Sequence, residues 1–337
     1  MQSKPLIYIT LYPELFAEIG LERYLPAWES CAVVERWQGP GSPPAEVVAD
    51  AVRRADVLVT GWGTPNLNEM LRDWTPESSP LRLVAHACGT VKYLLPVEAL
   101  QCGLLVSHAN DSLAEAVAEW TVGAILAMRR GMFLSAERYK AHRPAPSFTT
   151  MRELPGSTVG IIGASAIGRR VIEWLRPWQV KVLLYDPYVT DEQAAGWGTE
   201  RVELLDLFRR SDIVSLHAPI TQETIGMLRA EHFTAMKEGA LFVNTARGVL
   251  VDHAALLAEL QTGRISALLD VTDPIEPLPV DSPFFQLENC VLVPHQAGNS
   301  LEARLRQGQY TGEDVLAHLQ GRPLQRQVTP QRWATMA

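Results

Sequence analysis

Residues 158–168 read TVGIIGASAIG. The first five are aliphatic, β-branched or glycine, the composition of a short strand buried on both faces. GASAIG (163–168) then makes a tight turn into helix-forming residues, with a helix expected over Ile167–Leu175. A strand, a glycine turn and a helix in that order form the first half of a βαβ unit, which implies a parallel sheet. When such a turn receives a dinucleotide, the first glycine of G-x-G-x-x-G makes the bend and the second lets pyrophosphate approach. The third allows close helix–strand packing. Gly163 and Gly168 take the first and third places, and Ser165 stands in the middle one.

The next strand, in KVLLYDPY, ends at Asp186, 23 residues beyond Gly163. A carboxylate there accepts hydrogen bonds from adenosine ribose hydroxyls and repels a 2′-phosphate, favouring NAD over NADP. Gly163, Ser165, Ala166, Ile167, Gly168 and Asp186 are therefore the candidate dinucleotide contacts. If Ser165 must adopt a positive φ, the strain costs roughly 1–2 kcal/mol. Its hydroxyl recovers part of that by donating to phosphate. The expectation is a retained NAD site with a slightly displaced pyrophosphate.

Either side of this unit, the same alternation continues. Before it, strands are expected at Leu6–Thr10, Ala32–Trp37, Asp56–Gly61, Arg82–Ala87 and Leu104–Ala109, with helical stretches such as Pro44–Arg54 between them. After it, they are expected at Val180–Tyr185, Ile213–His217, Ala240–Asn244, Ser266–Val271 and Cys290–Val293, with a last helix near Asn299–Gln320. Between the two series, SLAEAVAEWTVGAILAMRR (112–130) reads as a long helix capped by Asp111 or Ser112, with Glu115 in its first turn. Its apolar circumference predicts burial between domains. The Pro/Ser/Thr-rich stretch from Gly131 to Gly156 reads as an extended arm.

A chain of 337 residues accommodates two such domains. A formal net charge of −8 gives no basic surplus for nucleic acid. Cys31, Cys88, Cys102 and Cys290 have no CxxC spacing, which argues against a disulfide framework or structural zinc and for a reducing cytoplasm. No apolar run reaches membrane-spanning length.

Chemistry concentrates where the later strands end. Thr245 and Arg247 follow one strand, Asp270 ends the next with Glu276 in the loop beyond it, and His295 ends the last. Open α/β sheets bind ligands beyond these carboxyl ends. An arginine fork grips a carboxylate, and histidine exchanges a proton near neutral pH. A neighbouring glutamate stabilises the imidazolium and sets its tautomer. Together with a nicotinamide, these groups describe interconversion of 2-hydroxy and 2-oxo acids.

With these motifs in view, residues 108–300 resemble the D-isomer-specific 2-hydroxyacid dehydrogenase family. The matching stretches are AEAVAEW, ELPGSTVGIIG, SDIVSLHAPIT, MKEGALFVNTARG, the DV…EPLP run and VPH. Arg247, Glu276 and His295 keep ordered separations of 29 and 19 residues. The resemblance implies a flavodoxin-like substrate domain (1–108 with 298–337) and an inserted Rossmann NAD-binding domain (109–297). It places the active site in the cleft between them, and implies a homodimer held through 112–152. It makes Arg247 the carboxylate clamp, His295 the proton carrier and Glu276 its partner. Asp270 would meet the nicotinamide carboxamide, and Ala218, Pro219, Thr245 and Ala246 would line the cofactor cleft. Gly89 and Thr90 would hold the substrate carboxylate; the substrate is a small 2-oxo or 2-hydroxy acid and the cofactor NAD. No metal is implied.

Three positions depart from the family pattern. Lys92 replaces an acidic residue, where it is either solvated or paired, or else reads a second anionic group on the substrate. Thr272 and Gln296 are also atypical and are expected to reshape the pocket. His86 and His217 have ordinary strand-end explanations, and Cys88 lacks a His–Asp arrangement that would make it a nucleophile. The alternative reading is a non-enzymatic NAD(H)-sensing module like the C-terminal-binding corepressors, although no partner groove or regulatory tail is evident.

Overall fold

The computed structural model describes residues 4–143, 151–274 and 276–336. The chain divides into two compact units, Met1–Leu113 with Asn299–Met336, and Ala114–Gly298.

In the first unit, β1 (Leu6–Ile9), β2 (Val33–Arg36), β3 (Val57–Thr60), β4 (Leu83–His86) and β5 (Leu105–His108) form, among the described residues, a five-stranded sheet. Its order is β2-β1-β3-β4-β5 and every pairing is parallel. That is the flavodoxin-like arrangement. Successive strand residues enter opposite cores, as the two-residue period requires. Ile7, Ile9, Val57 and Val59 pack with Leu15, Trp28 and Val315. Leu58, Val84 and Val106 face Val48, Leu71 and Trp74.

In the second unit, β6 (Thr158–Ile162), β7 (Lys181–Tyr185), β8 (Glu200–Arg201), β9 (Ile213–Leu216), β10 (Leu241–Asn244), β11 (Ser266–Leu269) and β12 (Cys290–Leu292) form a sheet in the order β12-β11-β10-β9-β6-β7-β8. All its pairings are parallel. The strand order reverses at β6, as in a Rossmann fold. Val159, Ile161 and Val243 pack against Val122 and Ile125 of the helix Ala114–Arg129 and against Val171 and Leu175. Ile162, Leu216 and Phe242 face Phe208, Phe233 and Leu256. The two-residue β8 has no hydrophobic alternation to reveal it, and sequence reading misses it.

Two local expectations are corrected. The helix Ala114–Arg129 is preceded by a 3₁₀ turn, Asn110–Leu113, so both expected caps lie within that turn rather than at the helix start. The Ser112 hydroxyl donates to Ala109 O instead, and Asp111 accepts from Arg332 Nη2 at 2.8 Å. The arm also differs from an extended connection, because Met132–His142 is a helix with no buried residue. Gly131 at φ 59° ends one helix and starts the next, and Leu134, Ala136, Glu137, Arg138, Lys140 and Ala141 are good helix formers. The Pro/Ser/Thr signal that dominated the sequence reading falls largely on 144–150, outside the described residues.

Candidate active site

The glycine turn lies where β6 has β7 on one side and β9 on the other. Gly163 has φ +93°, and a Cβ on it would sit 2.7 Å from Ala218 N. Only glycine satisfies both the dihedral and the approach of the His217–Ala218 backbone beyond β9. A Cβ on Gly168 would lie 2.1 Å from Gly163 O, so Gly168 allows the helix Ala166–Leu175 to close on the turn.

Ser165 does not occupy a glycine-like conformation. It is the N-cap of that helix at φ −61°, ψ 177°, and its hydroxyl accepts from Gly168 N at 3.2 Å. The anticipated strain is therefore absent, because this backbone is open to any residue. The N–H groups of Ala166 and Ile167, in the first helical turn, have no intrahelical acceptor. They remain as donors at the positive end of the helix, which suits a phosphate. Asp186, beyond β7, accepts from Ala164 N at 2.8 Å through Oδ2 and from Tyr188 N at 2.9 Å through Oδ1. The carboxylate is oriented by the turn, and each oxygen keeps a second lone pair for a ribose hydroxyl. A glycine cradle that a Cβ would fill, a free helix N-terminus and an oriented carboxylate fit a dinucleotide.

The chemistry-bearing side chains follow β10, β11 and β12. After β10, Asn244 folds the chain back: its Oδ1 accepts from Ala246 N at 3.0 Å and its Nδ2 donates to Arg247 O at 3.1 Å. Thr245 is buried, with its hydroxyl 3.1 Å from that of Thr121. The Arg247 guanidinium donates to Ala246 O at 2.6 Å and has no ion pair among the described residues. Burial draws it below its ordinary value, while the carboxylates of Glu276 and Asp270 oppose that shift. It remains charged.

Gly248 brings this loop against the next one. A Cβ there would fall 2.1 Å from Thr272 O and 2.6 Å from Asp273 N. Thr272 N in turn donates to Glu276 Oε1 at 2.7 Å, leaving Oε2 to meet His295 Nδ1 at 2.8 Å. Asp270 is buried, and its carboxylate accepts from Gln296 N at 2.7 Å and Ala297 N at 3.2 Å. Burial raises its pKa and these N–H groups oppose the rise. It thereby anchors the turn carrying His295, whose own N–H donates to Asp270 O at 2.9 Å. His295 has φ 48°, and its side chain is 52% exposed.

Arg247, Glu276, Asp270 and His295 thus converge at the carboxyl ends of adjacent strands. Sequence reasoning missed Asn244 and Gly248, although both flank Arg247 in NTARG. Thr272 and Gln296, noted as atypical, engage the site through backbone N–H groups. Gly89 and Thr90 follow β4 in the first unit, where Thr90 Oγ1 accepts from Lys92 N at 3.4 Å. The Lys92 ammonium has no ion pair among the described residues, and burial lowers its pKa. His217 is buried against Ser215 Oγ at 2.9 Å, and Cys88 is buried with its thiol pushed up to about 12. Neither is poised for catalysis.

The model of the D-isomer specific 2-hydroxyacid dehydrogenase NAD-binding domain matches residues 122–297. The chain belongs to this family. It is 33% identical to a glyoxylate reductase of Thermofilum pendens over 328 residues, 95% of this chain and 93% of that one. It is 32% identical to a D-3-phosphoglycerate dehydrogenase of Methanocaldococcus jannaschii over 278 residues, 82% of this chain and 52% of the relative. It thus spans about half the length of that second protein. D-mandelate dehydrogenase of Rhodotorula graminis shares the fold, with a TM-score of 0.81, 22% identity and coverage of 97% and 98% of the two chains. This D-2-hydroxyacid dehydrogenase is an NAD-dependent oxidoreductase acting on the CH–OH group of donors. Among the described residues, no helix is long and apolar enough to cross a membrane, and no metal-ligand cluster of His, Cys, Asp and Glu is found.

Proposed function

We propose that the chain interconverts a small 2-oxo acid and its D-2-hydroxy acid, with Arg247, His295 and Glu276 as its catalytic residues. The observation that carries this reading is the 2.8 Å pair of His295 Nδ1 and Glu276 Oε2. It holds the imidazole by one nitrogen and leaves Nε2 without a hydrogen bond among the described residues. Glu276 fixes the Nδ1–H tautomer and stabilises the imidazolium. His295 Nε2 gives its proton to the carbonyl oxygen during reduction and removes it from the hydroxyl during oxidation. Arg247 holds the substrate carboxylate and polarises the carbonyl, and Gly89 and Thr90 are assigned carboxylate contacts through their N–H groups. Bound NAD(H) supplies or accepts the hydride at C2 of the substrate.

The Gly163–Gly168 turn, including Ser165, Ala166 and Ile167, holds the pyrophosphate, and Asp186 holds the adenosine ribose. Ala218, Pro219, Thr245 and Ala246 line the cofactor, and Asp270 orients the nicotinamide. The relatives named glyoxylate reductase favour a short 2-oxo acid. A homodimer through 112–152 fits the helix Met132–His142, where Met132 and Tyr139 are 60% and 64% exposed. A cytoplasmic location fits four free cysteines.

The test is NADH oxidation over a panel including glyoxylate, hydroxypyruvate and phosphohydroxypyruvate. Turnover on at least one of them is expected, and His295→Ala should remove most of it while NADH still binds. Failure with every 2-oxo acid, or equal loss of NADH binding in the variant, would overturn the assignment.

A further inference from the structure

The amino ends of β6, β9 and β10 lie at the sheet edge opposite the residues just described. There the second unit holds a cavity of about 340 Å³, lined by Arg129, Arg152, Ser157, Asp212 and Glu238 among others. Its lining is mostly polar and it opens to solvent, so a ligand held there would be gripped by charge. Asp212 is already committed: Oδ2 accepts from Thr158 N at 2.8 Å, and Oδ1 meets Lys237 Nζ at 3.0 Å. Glu238 is exposed.

Arg129 is half-buried and Arg152 is exposed, and among the described residues neither is hydrogen-bonded to a carboxylate. Arg129 donates from Nη2 to Ser157 Oγ at 3.3 Å, and its Nε is buried without an acceptor. Neither Arg129 nor Arg152 forms an ion pair among the described residues. Their chain segments are tied together by Arg152 N donating to Arg129 O at 2.9 Å. Burial draws the Arg129 guanidinium below its ordinary value, and Arg152 adds to that shift while Asp212 opposes it. Arg129 ends the helix Ala114–Arg129, and a cation is favoured at a helix C-terminus. That accounts for one positive charge. It does not account for a second guanidinium in the same lining, when the nearby Asp212 carboxylate is already shared with Thr158 N and Lys237.

We propose that this cavity is an anion site, in which Arg129 and Arg152 together take the phosphoryl dianion of a small molecule. Two guanidiniums match a dianion better than a carboxylate, which carries one charge. The site lies away from the cofactor turn and from Arg247, so it is available while both are occupied.

The experiment uses the full chain, saturated with NADH so that the dinucleotide phosphate site is filled, and titrates inorganic phosphate by calorimetry at constant ionic strength. A phosphorylated three-carbon acid run in parallel distinguishes free phosphate from a phosphoryl-bearing metabolite. Saturable binding is expected, weakened about tenfold by Arg152→Gln through loss of one charge-assisted contact. Arg129→Gln should act in the same direction, and circular dichroism establishes that each variant is folded. Absence of binding by either probe, or undiminished affinity in a folded Arg152→Gln protein, would overturn the proposal. Loss of binding in Arg247→Gln with retention in Arg152→Gln would also overturn it, by placing the anion in the substrate site.

Discussion

His295 Nδ1 lies 2.8 Å from Glu276 Oε2, although the two residues are 19 positions apart and the His295 backbone is left-handed at φ 48°. That backbone conformation is uncommon for a non-glycine residue and costs roughly 1–3 kcal/mol. It is held by the N–H of His295 donating to Asp270 O and by the N–H groups of Gln296 and Ala297 on the Asp270 carboxylate. The strain places the imidazole on the glutamate and leaves its other nitrogen without a hydrogen bond among the described residues.

Glu276→Gln keeps the shape of this pair but removes the charge that stabilises the imidazolium. The expected outcome is a fall in kcat of roughly 10²–10⁴-fold, the usual contribution of a positioned acid–base group. NADH affinity, followed by fluorescence titration, should stay within about twofold, since the pair is assigned to proton transfer. A variant that turns over at the wild-type rate removes Glu276 from the mechanism.

Gly248 has no side chain to offer, yet the loop bearing Arg247 depends on it. Alanine would put a Cβ 2.1 Å from Thr272 O, a backbone atom that can move only with the Glu276 loop. Gly248→Ala should therefore separate Arg247, the proposed carboxylate clamp, from Glu276 and His295, the proposed acid–base pair. A displacement of about 1 Å costs on the order of 10²-fold in kcat/KM. Steady-state kinetics beside a melting curve checks this. Unchanged kinetics would mean that the two loops adjust independently.

Ser165 acts on the helix rather than through a strained turn. Ser165→Ala removes the cap on Gly168 N and should destabilise the protein by about 1 kcal/mol, whereas Ser165→Gly should cost only a few tenths. Thermal melts distinguish the two. Since φ is −61°, glycine relieves no strain, and NADH affinity in Ser165→Gly should stay close to wild type. A marked tightening would show that the hydroxyl or the Cβ obstructs the pyrophosphate.

Acid stability follows from histidines buried as neutral rings. Burial lowers His86 and His217 to about 3 and His108 to about 4, against an ordinary value of 6.5. The unfolded chain takes up these protons below about pH 6.5, and the folded chain does not until near pH 3–4. Stability is therefore complete above the upper value and falls as the pH drops through that window. The slope is on the order of 1.4 kcal/mol per pH unit for each ring. Urea midpoints at pH 7.5, 6 and 5 should decline progressively, with a shallower decline in His217→Gln. Identical slopes in wild type and variant would contradict the assignment for His217.

Much of the sheet architecture was legible because it rests on local signals. Val159, Ile161 and Ile162 are apolar whichever face they meet, and a strand buried on both sides needs little more. Gly163 and Gly168 announced a turn into a helix, and the structure gives each a steric reason. Signals weakened where neighbouring residues carried conflicting tendencies. The prolines and threonines of 144–150 concealed the helix-forming run Met132–His142, and β8 was too short to show a period.

The sequence by itself determined the alternation of strands and helices, the position of the glycine turn, and which residue types end β10, β11 and β12. Only the tertiary structure decided that Ser165 caps a helix, that Asn244 and Gly248 set the Arg247 loop, and that Asp270 holds the His295 turn. Periodicity and glycine placement act over a few neighbouring bonds and are written along the chain. The direction of a side chain in a loop depends on backbone groups from distant segments, and those partners exist only once the strands have been brought side by side.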